Sequence, residues 1–509
     1  MRDRTPPAGL PGSVCILAVA LVLPAAPAFP ADEIHWTMIS PTAVTFDWRG
    51  TGRTLRYGTT SQYGLTATGV APSIVPVSSA GPFWEAALTG LTAGRTYHYS
   101  LDGGPDHTFH AVPAPGSTFT VFVEGDIGSS LSYHALAPVQ SMIAGGAPSF
   151  VLGLGDLTYG DANGIANVDQ HFNDVMTWSR DAAYMPAWGN HDWADGDTTD
   201  DLRDYKGRFA LPNAQASPGS PAVSCCGEDW YWFDAGNARF IAYPEQFPGA
   251  WAAWATAATT LMDQAQATSS IHFIVTFGHR PAYSTGVHPG SPALKAILDS
   301  LGAHHSKYVL NLNGHCHDYE RTTPQFGVTH ITVGIGGATL EPVSGACPWA
   351  GGCPPPLWSV VRAFHHGALR LTFGPSGIRG DVLCGPAATY DDITCTEGAL
   401  FDTFMLDGQA VTTTPSCSPP ALVLSDIRPN PAEGDSRLTL SYALERGRGA
   451  RLVMLDVAGR EVGRFELGSA GPGQHEAQIM TPRGLPPGIY WLRLTQSGSE
   501  VRRTVVLLP

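Results

Sequence analysis

The chain has few charged residues and no surplus of basic ones. Charged side chains make up 14% of its 509 residues, and the formal net charge is −15. This deficit of cations argues against a nucleic-acid partner and against an anionic membrane surface, because both bind proteins through clustered lysine and arginine. After the first thirty residues the chain also lacks any apolar run of the length that crosses a bilayer, so no stable membrane span is predicted.

Glycine and proline, in contrast, are abundant, with 58 and 42 residues. Both favour turns, and with the low charge they are typical of β-rich modules. A chain of this length is too long for one compact core and is predicted to divide into roughly three domains.

Residues 1–28 have the composition of an export signal. Arg2 and Arg4 precede the apolar run from Val14 to Leu23, and small residues near Ala28 suit a cleavage site. A membrane anchor is the weaker interpretation, because the run is shorter than the ~20 residues that a span needs. The sequence therefore predicts a secreted or surface-exposed protein.

Eight of the nine cysteines lie outside this segment, an even number that favours disulfides in an oxidising compartment. The plausible local pairs are Cys347 with Cys353 and Cys384 with Cys395. The sequence does not assign partners to four others, which are Cys225, Cys226, Cys316 and Cys417.

The strand and helix patterns predict three domains after the signal. Residues 32–115 alternate apolar and polar positions as in a small β-sandwich. In residues 117–410 buried strands alternate with helical stretches, which predicts an α/β fold with partly parallel strands. Residues 411–420 read as a Thr-, Ser- and Pro-rich linker, and residues 421–509 as a second, immunoglobulin-like sandwich. Helices are predicted near residues 133–144, 168–180, 251–267 and 292–301.

Five short motifs each follow an apolar run of the α/β part. They are Gly125–Gly128 (Gly-Asp-Ile-Gly), Gly155–Tyr159 (Gly-Asp-Leu-Thr-Tyr), Gly189–Asp192 (Gly-Asn-His-Asp), Gly278–Pro281 (Gly-His-Arg-Pro) and Gly314–His317 (Gly-His-Cys-His). In α/β sheets, ligand sites collect at the carboxyl ends of strands. A bridging carboxylate can hold two metal ions about 3.5–4 Å apart, and Asp156 is the candidate bridge. Together the motifs predict metal-assisted hydrolysis.

The order of these motifs, from Phe119 to Tyr319, resembles that of the purple acid phosphatases within the calcineurin-like metallophosphoesterases. The clearest stretch is Gly314–Arg321, close to that family's Gly-His-x-His-x-Tyr-Glu-Arg. The resemblance implies a binuclear centre of Fe(III) and a divalent Fe, Zn or Mn. It implies that Fe(III) is held by Asp126, Asp156, Tyr159 and His317, and the divalent metal by Asp156, Asn190, His279 and His315.

One difference from the related serine/threonine phosphatases supports this branch of the superfamily. Those enzymes place a histidine two residues after the first aspartate, where this chain has Gly128. The vacated coordination position could be filled by Tyr159, whose phenolate would favour Fe(III) and colour the protein.

Other residues of the motifs suit roles in the reaction. His191 is expected to stabilise charge on the phosphate oxygens, with Asp192 orienting its ring. His288 lies where similar plant-type enzymes carry a histidine at the substrate mouth, although Pro289 follows it here, so it is a candidate general acid. Arg280 could meet the substrate or pair with a carboxylate.

The implied function is hydrolysis of small-molecule phosphate monoesters by attack of a metal-bound hydroxide. A phosphodiesterase or nucleotidase of the same fold is the nearest alternative. An inactive surface protein that binds through its two sandwiches is a third, although none of the seven ligand positions is missing.

Resemblances also cover both ends of the chain. Residues 32–115 resemble the fibronectin type III-like N-terminal domain of the purple acid phosphatases, with Tyr97 as candidate corner tyrosine. The last ninety residues, with Pro429–Pro431 and Leu485–Tyr490, resemble C-terminal type IX secretion sorting domains. That second resemblance implies contact with secretion machinery, and a plain immunoglobulin-like spacer is its alternative.

Overall fold

A computed structural model describes residues 31–76, 79–193, 202–221, 227–407, 422–444, 450–467, 473–496 and 499–508. The described residues form two compact units, which are divided between residues 407 and 422. The predicted export signal, the linker 411–420, and the cysteines Cys225, Cys226 and Cys417 lie outside the described residues. Within those residues, every helix is too short or too polar to span a membrane.

The first unit begins with two small antiparallel sheets. Their strands are β1 (Asp32–Ser40), β2 (Ala43–Arg49), β3 (Thr54–Gly58), β4 (Leu65–Thr68), β5 (Phe83–Thr89), β6 (Thr96–Leu101) and β7 (His107–His110), ordered β1-β2-β5 and β4-β3-β6-β7. The sheets meet through aromatic rings such as Trp36 and Phe109, whose centroids lie 5.4 Å apart. The hydroxyl of Tyr97 accepts a hydrogen bond from the Thr92 N–H at 3.0 Å, as a corner tyrosine would. The boundaries of this domain and its fibronectin-like identity stay predictions.

Two larger mixed sheets follow. Their strands are β8 (Phe119–Glu124), β9 (Phe150–Leu154), β10 (Ala183–Ala187), β11 (Trp232–Ala235), β12 (Ala238–Ala242), β13 (Phe273–Phe277), β14 (Tyr308–Asn313), β15 (Tyr319–Thr322), β16 (Thr329–Val333), β17 (Ser359–Ala363), β18 (Gly367–Phe373), β19 (Gly377–Cys384) and β20 (Leu400–Asp407). The six-stranded sheet has the order β10-β9-β8-β18-β19-β20, and the seven-stranded sheet β11-β12-β13-β14-β16-β15-β17. Strands β8, β9 and β10 run parallel to one another, as do β12, β13, β14 and β16.

These two sheets pack face to face through buried phenylalanines. The ring of Phe240 in β12 lies 5.3 Å from that of Phe150 in β9 and 5.4 Å from that of Phe373 in β18. The helices are α1 (Leu136–Gly145), α2 (Gly160–Asn163), α3 (Ile165–Ser179), α4 (Arg203–Lys206), α5 (Ala250–Ala267) and α6 (Pro292–His304). The four predicted helices correspond to α1, α3, α5 and α6, with ends within three residues of those expected.

Four of the five motifs directly follow strands of the parallel parts, as the sequence predicted, and one residue separates the fifth, Gly189–Asp192, from the end of β10. Three follow β8, β9 and β10 of the six-stranded sheet, and two follow β13 and β14 of the seven-stranded sheet. Because parallel strands end at the same edge of a sheet, the fold brings the five motifs together.

Arg208 joins the N-terminal sheets to the mixed sheets. Its side chain is 1% exposed, and its guanidinium donates to Glu33 in β1 at 2.8 Å and to Asp169 in α3 at 2.9 Å. A third bond, of 2.6 Å, goes to the backbone carbonyl of Asp204. A buried charge needs this degree of pairing, since an uncompensated ion inside a protein is costly.

The second unit is all-β in its described part. Its strands are β21 (Val423–Arg428), β22 (Ala432–Glu433), β23 (Arg437–Leu444), β24 (Arg451–Leu455), β25 (Glu461–Glu466), β26 (Gly473–Met480), β27 (Gly488–Gln496) and β28 (Ser499–Leu508). They form sheets of order β21-β23-β26 and β22-β28-β27-β24-β25. Leucines such as Leu438, Leu452 and Leu492 give this unit a hydrophobic core of its own.

Both predicted disulfides are confirmed: Cys347 bonds to Cys353, and Cys384 to Cys395. Cys316 is a buried free thiol that donates a hydrogen bond to the carbonyl of His288 at 3.0 Å.

Replacing Arg208 by alanine tests the junction between the N-terminal and mixed sheets. The change removes one of the two arginines that pair with the buried carboxylate of Glu33 and leaves only Arg49, at 3.0 Å, so we expect the first unit to lose roughly 3 kcal/mol of unfolding free energy. Thermal denaturation followed by calorimetry measures the loss. Arg53→Ala, at an exposed arginine, is the matched control. Equal melting temperatures for the two variants would contradict the buried role.

The buried His171 predicts a pH dependence of stability. Its Nδ1 bonds the carbonyl of Gly128 at 2.8 Å and its Nε2 the hydroxyl of Tyr184 at 3.1 Å, which suits a neutral ring. Burial lowers the pKa of His171 from 6.5 to about 4. Between these pH values only the unfolded chain binds the proton, so stability falls as the pH falls, by roughly 3 kcal/mol in total.

His171→Gln removes this titration, so its melting temperature will depend less steeply on pH between 6.5 and 4 than that of the wild type. His110→Gln, at an exposed histidine, should keep the wild-type slope. Parallel slopes for all three proteins would show that His171 does not contribute.

Candidate metal site

The motif glycines allow the strand ends to approach closely. Gly155 has φ +81°, and a Cβ on it would lie 2.8 Å from the Cβ of His279. A Cβ on Gly314 would lie 2.5 Å from Oδ2 of Asp126. Asp126 and Asp156 themselves adopt positive φ, 53° and 50°, a conformation that costs energy for residues with a Cβ. The backbone is thus strained where the two carboxylates enter the site.

Three of the seven predicted donors form one group around Asp126. The hydroxyl of Tyr159 lies 2.8 Å from Nε2 of His317 and 3.3 Å from Oδ1 of Asp126. The same Nε2 lies 3.3 Å from that carboxylate oxygen. Tyr159 reaches this position because its own φ of 54° turns the chain back at the start of α2.

The other four donors form a second group around His279. Its Nε2 lies 3.2 Å from Oδ2 of Asp156, 3.1 Å from Oδ1 of Asn190 and 3.1 Å from Nδ1 of His315. Ligand atoms of Asp156, His279 and His315 all lie within 4.8 Å of one another. The resemblance assigns Asp156 to both metal ions, and the measured contacts of its carboxylate place it in this second group.

The outward-facing nitrogens of two imidazoles show that these donors fit a metal pair. Nδ1 of His279 bonds the carbonyl of Leu154 at 2.9 Å, and Nδ1 of His317 bonds that of Thr339 at 2.7 Å. Each Nδ1 therefore donates to a carbonyl, and each Nε2 is directed into the cluster, where it can bind a metal ion once its own proton is released. Backbone carbonyls commonly orient metal-binding histidines in this way.

Charge in the cluster also suits a cation. Burial opposes ionisation of His279, but the charge and hydrogen bond of Asp156 outweigh it and raise the pKa of His279 to about 10. Burial and the nearby Asp126 raise the pKa of Tyr159 well above its ordinary value. Without metal, His279 and Tyr159 favour their protonated forms, and these protons form the hydrogen bonds within the cluster. A bound metal ion would replace these protons.

The two carboxylates are held by backbone amides from other loops. Oδ2 of Asp126 accepts from the N–H of His315, and Oδ1 of Asp156 from the N–H of His191, both at 2.8 Å. The first of these bonds connects the two mixed sheets. Each aspartate therefore keeps its second oxygen directed at the imidazoles.

The expectation that Asp192 orients the ring of His191 is wrong. Both oxygens of Asp192 accept backbone N–H bonds, from Leu157 at 2.9 Å and Gly189 at 2.8 Å, so this buried carboxylate holds the loop. Asp161 takes the orienting place, with Oδ2 2.8 Å from Nδ1 of His191. The backbone of a tight turn keeps a neighbouring side chain out of reach, whereas Asp161 comes from the adjacent helix α2.

His288 lies at the rim beside the second donor group. Its ring stacks on that of His315 at 4.2 Å, and its Nε2 lies 3.3 Å from the carboxylate of Glu341. The other oxygen of Glu341 lies 3.8 Å from Nδ1 of His317. The carboxylate therefore links the rim to the first donor group.

Arg280 pairs with a carboxylate and also faces the site. Its Nε donates to the buried Glu245, and its Nη1 lies 3.1 Å from Nε2 of His315. Both alternatives that the sequence left open for this residue are therefore compatible with its position.

Sequence reasoning missed Asp161, Glu245 and Glu341. None of the three lies in one of the five motifs, and the sequence around each of them has no motif that indicates a functional residue. A second cluster, His365 with Cys384 and Cys395, also has metal-ligand spacing, but its two cysteines form a disulfide.

Comparisons with known proteins agree with this geometry. Residues 119–319 match the model of the calcineurin-like phosphoesterase family. The chain is 26% identical over 430 residues to "Probable inactive purple acid phosphatase 24" of Arabidopsis thaliana and 25% identical over 422 residues to "Probable inactive purple acid phosphatase 27" of the same plant. Each alignment covers 70% of this chain and 66% of the relative, so the chain spans slightly less than two thirds of their length.

Two solved structures share the fold. The purple acid phosphatase PPD1 from yellow lupin (Lupinus luteus) seeds superposes with a TM-score of 0.56 at 18% identity, over 74% of each chain. PhoD superposes with a TM-score of 0.51 at 11% identity, over 77% of this chain and 95% of its own.

Metallophosphoesterases of this kind normally use a binuclear metal centre, which agrees with two adjoining donor groups. The family match, the shared fold and the converging motifs identify residues 119–319 as a calcineurin-like metallophosphoesterase domain with a purple acid phosphatase-like fold.

Proposed function

We propose that the protein is a binuclear metallophosphatase that hydrolyses small-molecule phosphate monoesters. The observation that carries the proposal is the convergence of all seven donor side chains in two adjoining groups. Asp126, Tyr159 and His317 would hold Fe(III), while Asn190, His279 and His315 would hold a divalent Fe, Zn or Mn. Asp156 would bridge the pair.

When bound, such a metal pair supplies a Lewis acid and lowers the pKa of a coordinated water to about 7. The chain supplies orientation and charge around it. His191 lies beside Tyr159, with ring centroids 4.6 Å apart, and its side chain is 35% exposed. It can therefore donate a hydrogen bond to a phosphate oxygen while Asp161 fixes its other nitrogen.

His288 is our candidate for the proton donor to the leaving oxygen. It is 39% exposed at the rim, where a leaving group can reach it, and its Nε2 lies 3.3 Å from the carboxylate of Glu341. Its stacking on His315 keeps the ring close to the second donor group.

The names of the Arabidopsis relatives describe those proteins as probably inactive. This chain nevertheless has an oxygen or nitrogen donor at each of the seven positions, and their atoms meet in one site. Retention of the complete donor set favours activity over an inactive binding role.

A phosphodiesterase or nucleotidase is the second candidate, because the fold is shared with PhoD as well as with a purple acid phosphatase. Rates for p-nitrophenyl phosphate and bis(p-nitrophenyl) phosphate distinguish the two. A faster reaction with the diester would favour the second candidate.

We also propose that the enzyme acts outside the cytoplasm. The support is the sequence of residues 1–28, the two disulfides, and the likeness of the C-terminal residues to secretion sorting domains. Export through secretion machinery would follow from that likeness.

Asp156→Ala tests the bridging role. We expect kcat for p-nitrophenyl phosphate to fall more than about 100-fold, beyond the range typical of residues that only support a ligand, and bound metal to fall with it. Asp263→Ala, at an aspartate that is 71% exposed on α5, is the control. Chelation should inactivate the wild type, and added Fe, Zn or Mn should restore it. Full hydrolysis by Asp156→Ala would refute the assignment.

Tyr159→Phe tests the iron site without removing the ring. Phenolate bonded to Fe(III) absorbs visible light, so we expect the purified wild type to be coloured and the variant to lose this band. Tyr133→Phe, at the neighbouring ring 5.6 Å away, should keep it. Elemental analysis reports the metal content of each protein. An iron-loaded wild type without a visible band would contradict ligation by Tyr159.

A further inference from the structure

Arg280 lies between the candidate metal site and a cavity of about 330 Å³. The cavity is lined by the polar residues Arg280, Gln246, His288, Ser291 and His315, and by a glycine and three prolines. His279, the residue before Arg280, points into the metal cluster. The two consecutive side chains thus serve the cluster and the cavity beside it.

The backbone and one edge of Arg280 are fixed. The hydroxyl of Tyr243 donates to the carbonyl of Arg280 at 2.9 Å, and the guanidinium Nε donates to Glu245. Glu245 is 2% exposed, so this carboxylate is held inside the protein. Such pairing preorganises the arginine and reduces the entropy lost when the guanidinium binds a ligand.

The opposite edge of the guanidinium is partly available. The side chain is 25% exposed, Nη1 is hydrogen-bonded to Nε2 of His315 in the second donor group at 3.1 Å, and Nη2 makes no hydrogen bond within the described residues. The two terminal nitrogens of an arginine form a planar fork that fits two oxygens of a carboxylate or phosphate. The ring of His315 separates this fork from the other donors of the second group.

The surroundings make an anion the fitting occupant. Arginine stays charged at every physiological pH, and its charge persists at the mouth of the cavity. His288 and Ser291 add further hydrogen-bond donors to the same wall. A neutral leaving group could accept hydrogen bonds from these donors, but an anion binds an arginine about twice as strongly because the bond is charge-assisted.

We propose that Arg280 binds a second anionic group of the substrate, a phosphate or a carboxylate joined by a short link to the phosphate that is hydrolysed. This inference rests on the proposed function and narrows its substrate class to phosphate esters with two anionic groups. The rival role for Arg280 is purely structural, as the counter-charge of the buried Glu245.

The experiment compares substrates that differ in the second anion. The substrates are phenyl phosphate, 3-carboxyphenyl phosphate and pyrophosphate, and the proteins are the metal-loaded wild type, Arg280→Gln and the control Arg53→Gln. We expect Arg280→Gln to lower kcat/KM roughly tenfold for the two substrates that carry a second anionic group, 3-carboxyphenyl phosphate and pyrophosphate, relative to phenyl phosphate. Arg53→Gln should keep the wild-type ratios. A decrease with only one of the two substrates would still support the proposal and assign the anion.

The double variant Glu245→Gln/Arg280→Gln separates the structural role from the binding role. It replaces the buried ion pair by two amides, so no uncompensated charge remains. If the double variant has the melting temperature of the wild type but keeps the reduced ratio of kcat/KM, relative to phenyl phosphate, for the substrates with a second anion, Arg280 binds the substrate directly. Recovery of the ratios, or an equal loss with all three substrates, would overturn the proposal.

Equilibrium binding tests the anion-binding role of Arg280 separately from the proposed phosphatase function. Calorimetry with methylphosphonate and methylenediphosphonate should show tighter binding of the diphosphonate by the wild type, and a smaller difference in Arg280→Gln. If no substrate is hydrolysed, the proposed function fails while this comparison still decides the role of Arg280. Equal affinities in the wild type would overturn that role.

Discussion

Two buried carboxylates must be held close to three imidazoles, and most of the surrounding structure serves that requirement. Asp126 and Asp156 accept backbone N–H bonds from the loops that carry His315 and His191. Each bond uses one oxygen and leaves the other directed at an imidazole. The mixed sheets bring the five loops to one edge, and the glycines before each donor let those loops approach within contact distance. The positive φ angles of both aspartates are the conformational cost of this arrangement.

The parts of the structure that repeat a local pattern could be predicted from sequence. The helices α5 and α6 follow apolar periodicity, and α6 begins at a capping serine, Ser291, followed by proline. Five of the seven donors could be predicted because each stands directly after a glycine at the end of an apolar run, and His317 lies in the same motif as one of them. Tyr159 was predictable only through the resemblance, since a positive φ at its own position directs it toward Asp126.

The supporting contacts could not be predicted in the same way. Asp161 orients His191 across a separation of thirty residues, and Glu245 reaches Arg280 across thirty-five. Neither separation follows a helix or strand period, so no pattern indicates them. Asp192 shows the converse error, because it is adjacent to His191 in sequence but its carboxylate turns to the backbone of its own loop.

The contacts of helix α3 limit where the first unit of this protein can be cut into fragments. One end of α3 is bound to the N-terminal strands, where the Ser179 hydroxyl donates to the carbonyl of Ile34 at 2.7 Å. In its middle, His171 contacts the carbonyl of Gly128 beside the donor Asp126. The helix therefore couples the small sheets mechanically to the loop that bears the first carboxylate. A fragment that starts near residue 117 would lack the contact between α3 and the N-terminal strands. A recombinant fragment of the first unit therefore needs to begin at about residue 31.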